Sequence, residues 1–195
     1  RLKKFIDNSI FTADFFGKLF IKNKKKFNIY FDVYIKQIAN LLNILGININ
    51  SVPVLDVRRK ITDKIIGNRS YSSNAKIVSK IGEACISNFH KQRIGTIIKH
   101  IPGYGLAKVD SHKRLPIVKN SIKEITKIDF FPFKNKESLF AMTAHIIYWT
   151  IDKRNTATHS KKIIQLIRNK IGYKNLILSD DISMEALKYS IAENT

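Results

Sequence analysis

Short β-branched apolar runs alternate along this chain with segments whose apolar residues recur every three or four positions, and that alternation constrains the fold more than any other feature. Residues 27–46 place Phe27, Tyr30, Phe31, Tyr34, Ile38, Leu41, Leu42 and Leu45 at helical spacing, with Gly46 as a stop. ININSVPVLDV (47–57) then reads as a strand buried on both faces, with Asp56 at its far end. Helical spacing returns over 74–92 through Ile77, Ile81, Cys85 and Phe89, where Asn74 supplies a cap. GTIIKHI (95–101) is a second strand, SLFAMTAHII (138–147) a third and NLILSDD (175–181) a fourth, with a capped helix over 160–172 and a last helix from about Ser183 or Met184. Strands and helices in alternation with short links predict parallel βα units, in either a doubly wound sheet or a (β/α)₈ barrel. The KNKKK run at 22–26 reads as a solvated loop, because like charges repel and stay hydrated.

Both architectures place their active sites at the carboxyl ends of strands, and there this chain carries Asp56, Lys99-His100, His145 and Asp180-Asp181. With 195 residues the chain suits one domain with a real core. The formal net charge of +20 comes from 35 Lys+Arg against 15 Asp+Glu, mostly as lysine scattered along the whole length. Sparse arginine and little aromatic interleaving argue against nucleic acid as the partner. Cys85 is the one cysteine, which excludes an internal disulfide, is expected to be buried and suits a reducing, cytoplasmic setting. No apolar run approaches the ~20 residues of a membrane span. Zinc-type spacing and a phosphate-binding P-loop are both missing, so neither a metal nor another cofactor is implied.

The most informative stretch is KHIPGYGLAKVDSH, from Lys99 to His112. Its first half is open to two readings: a strand that ends in polar residues and turns through glycines, or a bend at Gly103 and Gly105 that aims Lys99 and His100 into a pocket mouth. Asp110, two positions before His112 on an irregular loop, can accept the Nδ1 proton and leave Nε2 for acid–base work. Of Asp180 and Asp181, one is expected to cap the following helix and the other to face the site as a nucleophile or metal ligand. Arg69 is either a surface charge or a ligand-holding arginine. His145 reads as a hydrogen-bonded core or supporting histidine, and His90 and His159 as surface residues.

Taken together these motifs resemble the bacterial β-N-acetylhexosaminidase branch of glycoside hydrolase family 3. Lys99, His100, Ile101, Pro102, Gly103, Gly105, Asp110, Ser111 and His112 fit its Lys-His-(Phe/Ile)-Pro-Gly … Gly … Asp-(Ser/Thr)-His pattern in order, with Tyr104 where the family usually has His or Leu. Residues 50–57 resemble its strand ending in Pro-Val-Leu-Asp, and 179–185 the segment that carries its nucleophile. The similarity covers most of the chain and is clearest over 46–186. It implies a (β/α)₈ barrel that removes terminal N-acetylglucosamine, with retention, from muropeptides or disaccharides in cytoplasmic cell-wall recycling. By position, Asp180 is the implied nucleophile and His112 the acid and then base, oriented by Asp110. Lys99, His100 and Arg69 are implied to hold sugar hydroxyls, and Arg1 matches a further sugar-binding arginine. A histidine in place of the usual second carboxyl can donate and recover a proton near neutrality, and it repels anions less, so phosphate is an alternative acceptor to water.

A barrel of this kind spans about 250 residues, and the first strand here corresponds to the family's third. The family's Asp-Gln-Glu-Gly-Gly segment is absent. Residues 1–195 are therefore expected to be a partial catalytic domain, about strands three to six, with a complementary barrel fragment as a partner. An inactive truncated remnant and a basic polyanion-binding module on the same scaffold are the alternative functions.

Overall fold

The computed structural model of the chain describes residues 10–59 and 66–187. Helix α1 (Ala13–Lys22) begins where Thr12 Oγ1 accepts the Phe15 N–H at 3.1 Å. Asn23 ends α1 and starts α2 (Lys24–Ile44), its side chain accepting the Lys26 N–H at 2.9 Å. The lysine run is thus a helix junction rather than a loop. A good cap at Asn23 outweighs repulsion among lysines that remain hydrated on the first turn. Phe27, Phe31, Ile35, Ile38 and Leu42 form the buried stripe of α2, and Phe16 of α1 meets Phe31 and Tyr34 with ring centroids 4.8 and 5.0 Å apart. Gly17 lets α1 lie against the Tyr71 backbone, because a Cβ there would come 1.6 Å from the Tyr71 carbonyl oxygen.

Four parallel strands form the main sheet: β1 (Ile49–Asn50), β2 (Gly95–Ile101), β4 (Phe140–Thr143) and β6 (Leu176–Leu178). Their spatial order follows chain order without reversal. A doubly wound sheet reverses at a switch point, so this succession is that of a (β/α)₈ barrel wall. Helix α3 (Ala75–Lys91) lies between β1 and β2, capped by Asn74, and buries Cys85 as expected. A second, two-stranded parallel pairing joins β3 (Ile117–Val118) to β5 (Ile147–Tyr148), with α4 (Ile122–Ile128) between them in sequence. Helix α5 (Lys161–Leu166) starts on Ser160 and widens into a π-helical turn over Ile167–Ile171, which Gly172 ends at φ 78°.

Two strand readings need correction. Only Ile49 and Asn50 of 47–57 pair as a regular strand, and Ile49 is 40% exposed rather than buried on both faces. Pro53 has no N–H to give a ladder. The segment instead follows β2 through single contacts, with Val52 and Pro53 carbonyls accepting the Ile97 and Lys99 N–H groups at 3.1 Å and the Leu55 N–H reaching the Lys99 carbonyl at 2.7 Å. Likewise 138–147 is not one strand. β4 stops at Thr143, and Ile147 belongs to the other pairing, because the chain breaks at Ala144–Ile146 where the Ala144 N–H bonds the Ile101 carbonyl. Of the last helix, the described part is a single 3₁₀ turn, Glu185–Leu187.

Candidate active site

A cleft of about 1280 Å³ opens beyond the carboxyl ends of β2, β4 and β6, and it is lined by Arg69, Lys99, His100, Asp110, His112 and Asp180. These are six of the seven residues that the sequence proposes. Arg1 lies outside the described residues.

In a regular strand Lys99 and His100 would point to opposite faces. The pairing of β2 with β4 slips between them: Lys99 stands against Met142 and Ile101 against Thr143, which leaves His100 as an extra residue. That bulge lets both side chains line the cleft. Lys99 Nζ donates to Ser51 Oγ at 2.7 Å. Its burial, then the nearby Arg69 cation, lower the ammonium's pKa, against the pull of Asp180 and Asp56.

Asp56, which lies beyond the end of β1 rather than at a strand end, organises His100, a role that the sequence did not reveal. It is fully buried. Its Oδ2 meets His100 Nδ1 at 2.7 Å, and its Oδ1 accepts the His100 N–H at 3.3 Å and the Tyr104 N–H at 2.6 Å. A carboxylate facing Nδ1 fixes the proton there, so Nε2 is the ring nitrogen left for a ligand.

Asp110 does the same for His112. Its Oδ1 accepts the His112 N–H at 2.9 Å and meets Nδ1 at 2.8 Å, with the imidazole itself largely exposed. Burial opposes ionisation of Asp110, but the two bonds from His112 and the charge of Lys113 outweigh it and hold the carboxyl below its usual range.

The two acids after β6 take different places, one of them in the cleft as expected. Asp181 accepts both the Ser183 N–H at 2.8 Å and the Ser183 hydroxyl at 2.7 Å, which hold its carboxyl below the usual range. Asp180 accepts the Asp181 N–H at 2.9 Å and lines the cleft. His145 supports this segment from beneath. It is 1% exposed, its Nε2 lies 3.0 Å from the Asp181 carbonyl and its Nδ1 2.7 Å from Thr158 Oγ1. A carbonyl only accepts, so Nε2 carries the proton and Nδ1 takes the threonine's. Burial lowers the pKa of this histidine, in keeping with a neutral ring. His159 is exposed, whereas His90 is half-buried and bonds Thr96 Oγ1 at 3.1 Å, a correction to its reading as a surface residue. Among the described residues no group of three or more His, Cys, Asp or Glu side chains could hold a metal ion, and no helix is long and apolar enough to cross a membrane.

The pattern of the glycosyl hydrolase family 3 N-terminal domain matches residues 29–194. The chain belongs to glycoside hydrolase family 3. Similar proteins include beta-hexosaminidase A of Pseudoalteromonas piscicida, 33% identical over 176 residues, and beta-hexosaminidase of Neisseria meningitidis serogroup C, 33% identical over 153 residues. These alignments cover 80% and 77% of this chain but only 29% and 42% of the two relatives, so the family 3 chain spans less than half the length of either. NagZ from Neisseria gonorrhoeae superposes with a TM-score of 0.81 at 29% identity, over 89% of this chain and 52% of that one. A family 3 β-N-acetylglucosaminidase from Paenibacillus sp. superposes with a TM-score of 0.74 at 30% identity, over 78% of this chain and 30% of that one. The barrel-type wall is therefore the family's own.

Under the motif loop of this family 3 chain sits a second buried acid. Arg59 Nη2 donates to Asp129 Oδ2 at 2.7 Å, while Oδ1, buried without a hydrogen-bond partner, lies where a Cβ on Gly105 would come within 2.7 Å. Burial pushes this carboxyl up to about 6, against the pull of Arg59 and with a push from Asp56 and Glu124. A carboxyl raised above its unfolded value of about 3.9 favours the folded state when protonated. Its contribution is therefore full below about pH 4 and declines as pH rises towards 6. Compared by urea unfolding, Asp129→Asn should gain on the wild type by about 2 to 3 kcal/mol across that window. A difference that stays flat from pH 4 to 7 contradicts the assignment.

Proposed function

We propose that this chain carries the catalytic cleft of a retaining exo-β-N-acetylglucosaminidase that releases terminal N-acetylglucosamine from peptidoglycan fragments in cytoplasmic cell-wall recycling. The observation that carries this reading is the meeting of Asp180 with the Asp110–His112 pair in one cleft, beside Lys99 and His100. A carboxylate and an imidazole supply the two functions that retention needs. Asp180 attacks the anomeric carbon while protonated His112 gives its Nε2 proton to the departing oxygen, and the glycosyl–aspartate ester then forms. Water replaces the ester oxygen, losing its proton to the now neutral His112 and freeing Asp180. Lys99 and Arg69 donate to sugar hydroxyls, and His100 offers Nε2 to the same ring. The similar gonococcal NagZ has been solved in complex with N-trifluoroacetyl-D-glucosamine, which supports an N-acylated glucosamine as the occupant.

Among the described residues the outer strands β1 and β6 each have one unpaired edge. The remaining barrel strands, from the same polypeptide or a complementary one, are proposed to add there and complete the wall. The test compares two aryl N-acetylglucosaminides in the presence of that complement. His112→Ala should lose about 10²- to 10⁴-fold in turnover on a phenol-type leaving group that needs a proton. It should lose far less on a dinitrophenolate, which departs unprotonated. Equal rates for wild type and variant on the poorer leaving group rule out the acid–base role.

A further inference from the structure

Ser111, the middle residue of the Asp110–His112 turn, is buried and tied through both of its peptide groups. Its N–H donates to the Tyr104 hydroxyl at 2.8 Å, and its carbonyl accepts the Ala186 N–H at 3.1 Å. The same hydroxyl donates to the Val109 carbonyl at 3.0 Å. One phenol oxygen therefore closes the loop that leaves Gly105 and returns at Ser111. The other end of Tyr104 is fastened to the sugar-facing wall. Its N–H bonds Asp56, its ring stands edge-on to His100 with centroids 5.7 Å apart, and it is 4% exposed. Burial pushes the phenol up to about 12, so the hydroxyl keeps the proton it gives to Val109 throughout the working pH range. His112 has no comparable fastening in its side chain, which is 69% exposed and bonded to Asp110 two positions away. Its place over the cleft is set by the backbone it hangs from.

We propose that Tyr104 is the positioning residue of the acid–base turn, tying it to the Asp56–His100 wall while Ala186 ties it to the Asp180 segment. The turn is then held between the group that binds the sugar and the group that attacks it. This inference rests on the reading of His112 as acid and base, and its test has an arm that does not.

Tyr104→Phe keeps the ring and removes only the bridging oxygen. Lys108 is exposed within this loop and Lys113 and Arg114 just past its closing point, so limited trypsin digestion of the native protein reads its opening directly. Cleavage at those three sites should rise roughly ten- to hundred-fold, the factor expected for loss of two ordinary hydrogen bonds from the closed form. On an aryl N-acetylglucosaminide kcat should fall about ten-fold with KM changed less than two-fold, because the sugar-holding groups stay in place. Unchanged cleavage at the three sites in a variant with the wild-type thermal midpoint overturns the proposal. Should Tyr104→Phe fail to fold, the Ser111 amide of the wild type decides: slow hydrogen exchange upholds the bond and free exchange removes it. A wild type that shows no turnover with the complementary barrel strands present refutes the glycosidase reading and leaves the digestion result standing.

Discussion

Asp180→Ala should reduce N-acetylglucosaminide hydrolysis by roughly 10³-fold or more, and added azide should restore part of the lost rate by giving a glycosyl azide of inverted configuration. The carboxylate is the one group on its side of the cleft assigned to form a bond to carbon. Without it the covalent route is closed, whereas binding and proton donation persist. A small anion can enter the space vacated by the carboxylate and attack once, from the same face, so the anomeric centre inverts instead of being retained. The fold should survive, because among the described residues Asp180 accepts only the neighbouring Asp181 N–H. Hydrolysis near the wild-type rate, or an azide product of retained configuration, removes Asp180 from the role of nucleophile.

Asp56 should give the largest change in stability. Alanine in its place orphans three buried donors at once, the His100 ring and the backbone N–H groups of His100 and Tyr104. Breaking a buried pair of this kind costs about 3 to 5 kcal/mol, or a fall of about 10 °C in thermal midpoint for a chain of this size. Asp56→Asn separates folding from binding. Its amide oxygen can still accept the two backbone bonds, but its NH₂ group faces His100 Nδ1 and forces the proton to Nε2. The ring then offers the sugar a donor where it had offered an acceptor, so KM should rise with little loss of stability. An alanine variant as stable as the wild type would deny Asp56 this structural role, as an unchanged KM in the asparagine variant would deny it control of the tautomer.

Much of this was legible in the sequence because it rests on local chemistry. The β-branched runs at 95–101 and 175–181 contain the strands where their composition puts them, and Asn74 and Ser160 cap the helices they precede. The Asp110–His112 pairing could be read from a spacing of two on an irregular loop. That one of Asp180 and Asp181 would face the site was legible from their place after a strand, but which of the two came only from the family resemblance. What was missed depends on contacts distant in sequence. Nothing near Asp56 indicates that it serves His100, 44 residues away, and Asp129 meets Arg59 across 70 residues. Helix α1 was overlooked because Phe15, Phe16, Leu19 and Phe20 form a stripe too short to stand out until it packs on α2. The breaks at Pro53 and Ala144 escaped a reading that extends strands wherever apolar residues continue, since composition does not register a missing ladder donor or a carbonyl borrowed from Ile101.

The extra residue at His100 also fixes how this stretch can change over time. Inward and outward positions exchange phase there, so the number of residues from Gly95 to Ile101 carries as much information as their identities. A deletion that restored regular pleating would turn Lys99 or His100 into the helical jacket, while an insertion would move the phase change away from Asp56. Mutational libraries for new sugar preferences should therefore vary letters in this segment and leave its length untouched.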